Sequence, residues 1–145
     1  MAGWRARDLA GHLVQWFPDF LLSATGIVLD RGPCVEVDPV AAWKVHSEAV
    51  QLLLDGRERT TTFRHPLVGQ MPLPEAVDRF YTLDVFMHTW DLARATGQDE
   101  RLDARTCADL LAGMVPIEDM IRGRDPLANR PALCPPFRAD PDSGA

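Results

Sequence analysis

Between Pro74 and Gly97 the chain carries Val77, Phe80, Tyr81, Asp84, His88, Asp91, Leu92 and Ala95 at spacings of three and four. That period lays all eight on one stripe of a helix, and the stripe has to face a core. Pro74 suits the first helical position, Glu75 and Asp78 suit the positive end of the helix dipole, and Gly97 suits its close, so the helix is predicted over Pro74 to Thr96. Asp84 and His88, one turn apart on the inward stripe, are then two ionisable groups turned towards low dielectric. A carboxylate buried without a partner costs several kcal/mol or gives up its charge. Two solutions stand at this point: an ion pair or hydrogen-bonded pair in the core, or a divalent cation held by both groups. Side chains at i and i+4 have Cβ atoms about 5–6 Å apart, close enough to share one ion, as the two histidines of an HExxH helix do.

A second acid lies four residues before a histidine at Asp8 and His12. With 21 acidic residues and four histidines in 145 positions, chance supplies about 0.6 such pairs. The chain has two. The segment Trp4 to Thr25 repeats apolar residues at helical spacing through Leu9, Leu13, Trp16, Phe17, Phe20 and Leu21, with a bend expected at Pro18. His12 sits beside that face and can meet Asp84 and His88 across a bundle axis. Two imidazoles and one carboxylate leave positions open on an ion, a donor set that suits zinc and other divalent metals of similar preference. Asp8 reads as a helix-start group or an acceptor behind the ligands, and Asp91 as a group that orients His88 or satisfies backbone. His46 and His65 lack an acid four residues earlier and read as solvent-facing or locally bonded.

The rest of the chain supplies further helices. Asp38-Pro39 is a start signal for a helix to Asp55, with Val40, Trp43, Val50, Leu53 and Leu54 as its buried stripe and Gly56 as a left-handed closing residue. Arg57 to Leu73 holds a β-branched run, Pro66, Gly69 and Pro72, and reads as a long connection with one extended piece. Asp103 caps a further helix through Leu110, Leu111, Met114, Ile117 and Ile121, kinked near Pro116. Four helical segments without a strand set predict an all-α bundle over residues 4–122, whose middle loops allow at least one crossover connection, followed by a Pro-rich irregular tail over 123–145.

The charge balance narrows the partners. Fifteen basic against 21 acidic residues give a formal charge of -6, which argues against nucleic acid and anionic membrane. No apolar run approaches the roughly 20 residues that span a bilayer, and the N-terminus lacks the layout of a signal peptide, so a cytoplasmic location is expected. Cys34, Cys107 and Cys134, odd in number and far apart, read as thiols and not as a disulfide framework or a CxxC site.

Trp4-Arg5-Ala6-Arg7-Asp8-Leu9-Ala10-Gly11-His12-Leu13 resembles the W-x-x-x-D-L-x-x-H-L signature of the DinB-like, mycothiol-dependent maleylpyruvate isomerase N-terminal superfamily. Asp84 to Gly97 resembles that family's D-x-x-x-H-x-W-D-L-A-x-A-T-G segment, and the two runs occur in the family's order. The resemblance implies an antiparallel four-helix bundle holding a divalent metal, zinc before nickel or another ion, on His12, Asp84 and His88. It implies further that the ion activates the thiol of a small cofactor such as mycothiol, for isomerisation or thiol transfer onto an electrophilic substrate. The family's usual first helix has no counterpart ahead of Trp4, and its closing segment and separate catalytic domain have none after the Pro-rich stretch. The expectation is therefore a bundle lacking that helix, with an uncovered face suited to a homodimer. A metal-stabilised module that binds without turnover is the alternative.

Overall fold

Helix α1, Ala6–Thr25, starts where the Asp8 carboxylate accepts the Arg5 backbone N–H at 2.9 Å. It closes on Gly26, whose φ of 77° a side chain would resist. The computed structural model that establishes this describes residues 5–114, so Trp4 of the first motif lies outside it. Leu9, Leu13, Phe17, Leu21 and Ala24 are buried along one face of α1 at the predicted period, and Pro18 is accommodated inside the helix. Helix α2, Pro39–Asp55, begins as its sequence predicts, with the Asp38 side chain accepting from the Ala41 N–H at 2.9 Å and Pro39 in the first turn.

Two details of α2 correct the prediction. Gly56 closes the helix in extended backbone, not in the left-handed region, while its N–H still bonds to the Leu52 carbonyl at 2.8 Å. The buried face is Ala42, His46, Val50 and Leu53, leaving Val40 76% exposed. The segment entering α2 lies directly on it. A Cβ on Gly32 would stand 2.9 Å from the Ala42 Cα, so the close approach requires glycine there.

After a 3-10 turn, Arg57–Thr60, the chain forms an antiparallel hairpin of β1, Thr62–His65, and β2, Gly69–Pro72, with Phe63 opposite Met71. Those two side chains point inward, and the hairpin caps the core with them. The all-α expectation is corrected accordingly: the protein is mostly helical with a small two-stranded sheet. The predicted helix from Pro74 to Thr96 is present but compound. Helix α3, Leu73–Ala76, passes into a π-helical stretch, Val77–Thr82, and then into α4, Leu83–Thr96, which ends on Gly97 at φ 69°. A π-helical segment widens the turn, and such segments are frequent at functional sites. Helix α5, Ala104–Met114, is started by Asp103, whose carboxylate accepts the Thr106 N–H at 2.7 Å. The predicted course to Ile121, the kink near Pro116 and the tail over 123–145 lie outside the described residues.

The core lies between α1, α2, the hairpin and α3. Phe17, Leu21, Phe63 and Leu73 are its most deeply buried side chains, joined by Val50, Leu53, Val77 and Tyr81. Among the described residues no helix is long and apolar enough to cross a membrane. Cys107 is a half-buried thiol, but Cys34 is disulfide-bonded, which corrects the reading of the cysteines as thiols. An odd count excludes a fully paired set; it does not exclude one bridge.

Candidate metal centre

Helices α1 and α4 pack against each other, and each brings its acid-histidine motif to the seam. On α1, Leu9 and Leu13 are drawn into the core, which carries His12 to the edge of the contact. On α4, Asp84 and His88 share a face one turn apart, as their spacing requires. His12 Nε2 stands 3.2 Å from Asp84 Oδ2, and His88 Nε2 stands 3.6 Å from Asp84 Oδ1. One ligand atom from each of the three residues lies within 4.8 Å of the other two. Ion-to-ligand distances of about 2.0–2.1 Å put neighbouring tetrahedral ligands about 3.4 Å apart. The two separations lie near that value but run to different oxygens of Asp84, so only one of them is a ligand-to-ligand distance if a single carboxylate oxygen binds. The two imidazoles meet edge to face, with centroids 5.1 Å apart.

A further pair of contacts bears on how these side chains are oriented. His88 Nδ1 lies 3.0 Å from Asp91 Oδ2. An ionised carboxylate only accepts hydrogen bonds, so Nδ1 is the donor of this contact, and Nε2 is the ring nitrogen turned towards Asp84. The indole N–H of Trp16 donates to Asp84 Oδ2 at 2.9 Å. Exposure grades across the site: His88 keeps 5% of its side-chain surface, Asp84 19% and His12 32%. Solvent therefore reaches the cluster from the His12 side.

Sequence reasoning placed His12, Asp84 and His88 together, and they are together. Asp8 fills the helix-start role and stands apart from the cluster, while Asp91 takes the orienting role. His65 is on the hairpin against Phe20, with its Nδ1 accepting the Leu67 N–H at 3.3 Å. His46 corrects its prediction. It is 2% exposed, among the rings of Phe17, Trp43 and Tyr81, and its Nε2 and the Tyr81 hydroxyl are buried without a hydrogen-bond partner. Burial lowers the His46 pKa to about 4, with the Arg31 charge as a second cause. Burial, and after it the Asp84 carboxylate, pushes the Tyr81 hydroxyl well above its ordinary value, so it remains protonated. The sequence reading counted Trp16 as apolar face only. Its signal was a polar N–H four residues after His12, which a partly buried indole has to satisfy.

A cavity of about 730 Å³ lies between α1, α2 and α4, with Leu13, Trp43 and Val85 in its walls and the exposed Arg5 and Arg7 beside them. His88 also lines it, but His12 and Asp84 do not, so of the three clustered residues only the most deeply buried one borders it. No family model, no curated protein and no solved structure matches the chain.

Proposed function

We propose that the protein binds one divalent cation through His12, Asp84 and His88 and uses it in the chemistry of a small thiol. One observation carries the first part: residues 72 positions apart, chosen by helical spacing, bring a carboxylate and two imidazoles to ligand separation across the α1–α4 seam. The ion class follows from the donors, since two nitrogens and one oxygen favour zinc, nickel or a similar metal over magnesium or calcium. The finer fold belongs to the same proposal, an antiparallel bundle of the DinB-like type with α1, α2, α4 and α5 as its helices.

The thiol part is supported by the motif resemblance and by a donor set that leaves positions free. A divalent cation at this site would lower the pKa of an approaching thiol, making thiolate the nucleophile at neutral pH. The protein's own groups divide the remaining work. His88, fixed through Nδ1 by Asp91, presents Nε2 in one orientation; Asp84 supplies negative charge; His12, the most exposed of the three, sits where a solute arrives. Cobalt-loaded protein titrated with mycothiol tests this reading. A near-ultraviolet thiolate-to-cobalt charge-transfer band that saturates supports it, and its absence with cobalt bound overturns the thiol assignment while leaving the metal site.

A second reading, a metal-stabilised binding module, is favoured by the fact that the ligands come from two helices, so the ion would clamp α1 to α4. Under that reading metal removal lowers the melting temperature while ligand binding persists.

A further inference from the structure

Trp16 follows His12 by one turn of α1 and therefore shares its face. The indole lies nearly parallel to the His12 imidazole, with centroids 6.2 Å apart and planes 25° apart. Phe17, Phe20 and Tyr81 stand around it at centroid distances of 5.7, 5.7 and 6.3 Å, so the ring is held on several sides. Its one polar atom is aimed at Asp84 Oδ2, the same oxygen that faces His12, while Oδ1 faces His88. The two oxygens of Asp84 are thus inequivalent before any ion arrives.

We propose that Trp16 is a positioning residue that makes Asp84 a one-oxygen ligand. The inference rests on the metal reading above and deepens it. A free carboxylate can chelate an ion through both oxygens, which uses two coordination positions. An N–H fixed on Oδ2 at 2.9 Å draws charge from that oxygen and holds the carboxylate plane, so Oδ1 is the donor. With His12 and His88 this gives three protein donors instead of four. The position kept open is the one an exogenous ligand needs, so an indole that does not itself bind the ion sets whether the centre is open or closed.

Cobalt(II) reports this directly, because four-coordinate cobalt absorbs visible light far more strongly than six-coordinate cobalt. The full chain and its Trp16→Phe variant are loaded with cobalt, with Trp90→Phe as the control, since Trp90 is partly exposed and paired with the Arg94 guanidinium 5.1 Å from its ring. Phenylalanine keeps an aromatic ring among Phe17, Phe20 and Tyr81 but removes the donor. The expected result is cobalt affinity about 10–100-fold weaker in Trp16→Phe, with a weaker visible band as the carboxylate turns to chelate, and no change in Trp90→Phe. An unchanged spectrum and affinity in folded Trp16→Phe overturns the proposal. Failure of the wild-type chain to take up cobalt overturns the metal reading itself.

A measurement on the wild-type chain serves should Trp16→Phe not fold. The Trp16 indole N–H, followed by nitrogen-15 NMR, is expected to stay slow to exchange with solvent after zinc is added. Exchange that becomes fast on loading would mean that the ion releases the indole, contrary to the proposal.

Discussion

His46 and His88 are both hidden from solvent, at 2% and 5% exposure, yet their surroundings are opposite in kind. His46 stands among the rings of Phe17, Trp43 and Tyr81 with no partner for Nε2, and Arg31 adds positive charge nearby. It meets the cost of burial by staying neutral. His88 has a carboxylate on each ring nitrogen, Asp84 on one side and Asp91 on the other, with a second histidine beyond Asp84. Burial alone does not mark a ligand. What distinguishes the α1–α4 seam is an excess of negative charge around the His88 imidazole, surroundings that would favour a cation.

The comparison can be broken most forcefully from the His46 side. Phe17 stacks on Tyr81 with centroids 4.4 Å apart and borders His46, so Phe17→Ala should destabilise the metal-free protein by about 3–5 kcal/mol in denaturant unfolding. Phe17 also borders the Trp16 ring, so metal affinity of the folded fraction should fall as well, but by less than in Trp16→Phe, because the indole N–H is kept. Titration gives the next largest effect. His46 has a pKa of about 4 in the folded protein against the ordinary 6.5 of the unfolded chain. Between those values the unfolded chain binds a proton that the folded one refuses, so its contribution is complete above pH 6.5 and is lost as pH falls towards 4. The loss amounts to at most about 3 kcal/mol. Unfolding curves of the metal-free protein over that range should show the drop, and His46→Phe should flatten it.

From the His88 side, Asp91→Asn should weaken metal affinity about 10–100-fold, measured by competition with a chelating dye, with little effect on metal-free stability. The exposed Arg7–Glu36 pair, 3.1 Å apart, gives the smallest effect. Arg7→Ala should cost less than about 1 kcal/mol in thermal unfolding, less still at high salt, and leave both histidines undisturbed.

The His12–Asp84–His88 cluster was legible because a helix converts spacing into direction: Asp84 and His88 had to share a face, and His12 had to border the one that carries Leu9 and Leu13. The starts of α2 and α5 were legible for a similar local reason, since Asp38 and Asp103 each accept an N–H of the turn they open. The hairpin was not. Its strands are four residues each, and Gly69-Gln70-Met71-Pro72 has neither β-branched residues nor a clean alternation, so only the pairing of Phe63 with Met71 reveals it. The π-helical stretch left no mark in a pattern read at a period of 3.6. His46 misled because its burial depends on where α1 and the Tyr81 segment pack on α2, which no feature of its own helix encodes. Trp16 was placed correctly on an apolar face, but its N–H could be assigned only once Asp84 was known to lie across the seam.

The most direct test of the central claim is the metal content, by mass spectrometry, of tag-free wild-type protein and of folded His12→Ala, Asp84→Ala, His88→Ala and His46→Ala. The account predicts a near-stoichiometric divalent ion in wild type and in His46→Ala, and its loss from the other three. Folded wild-type protein that takes up no divalent metal, or variants of the three seam residues that retain it, would contradict the account.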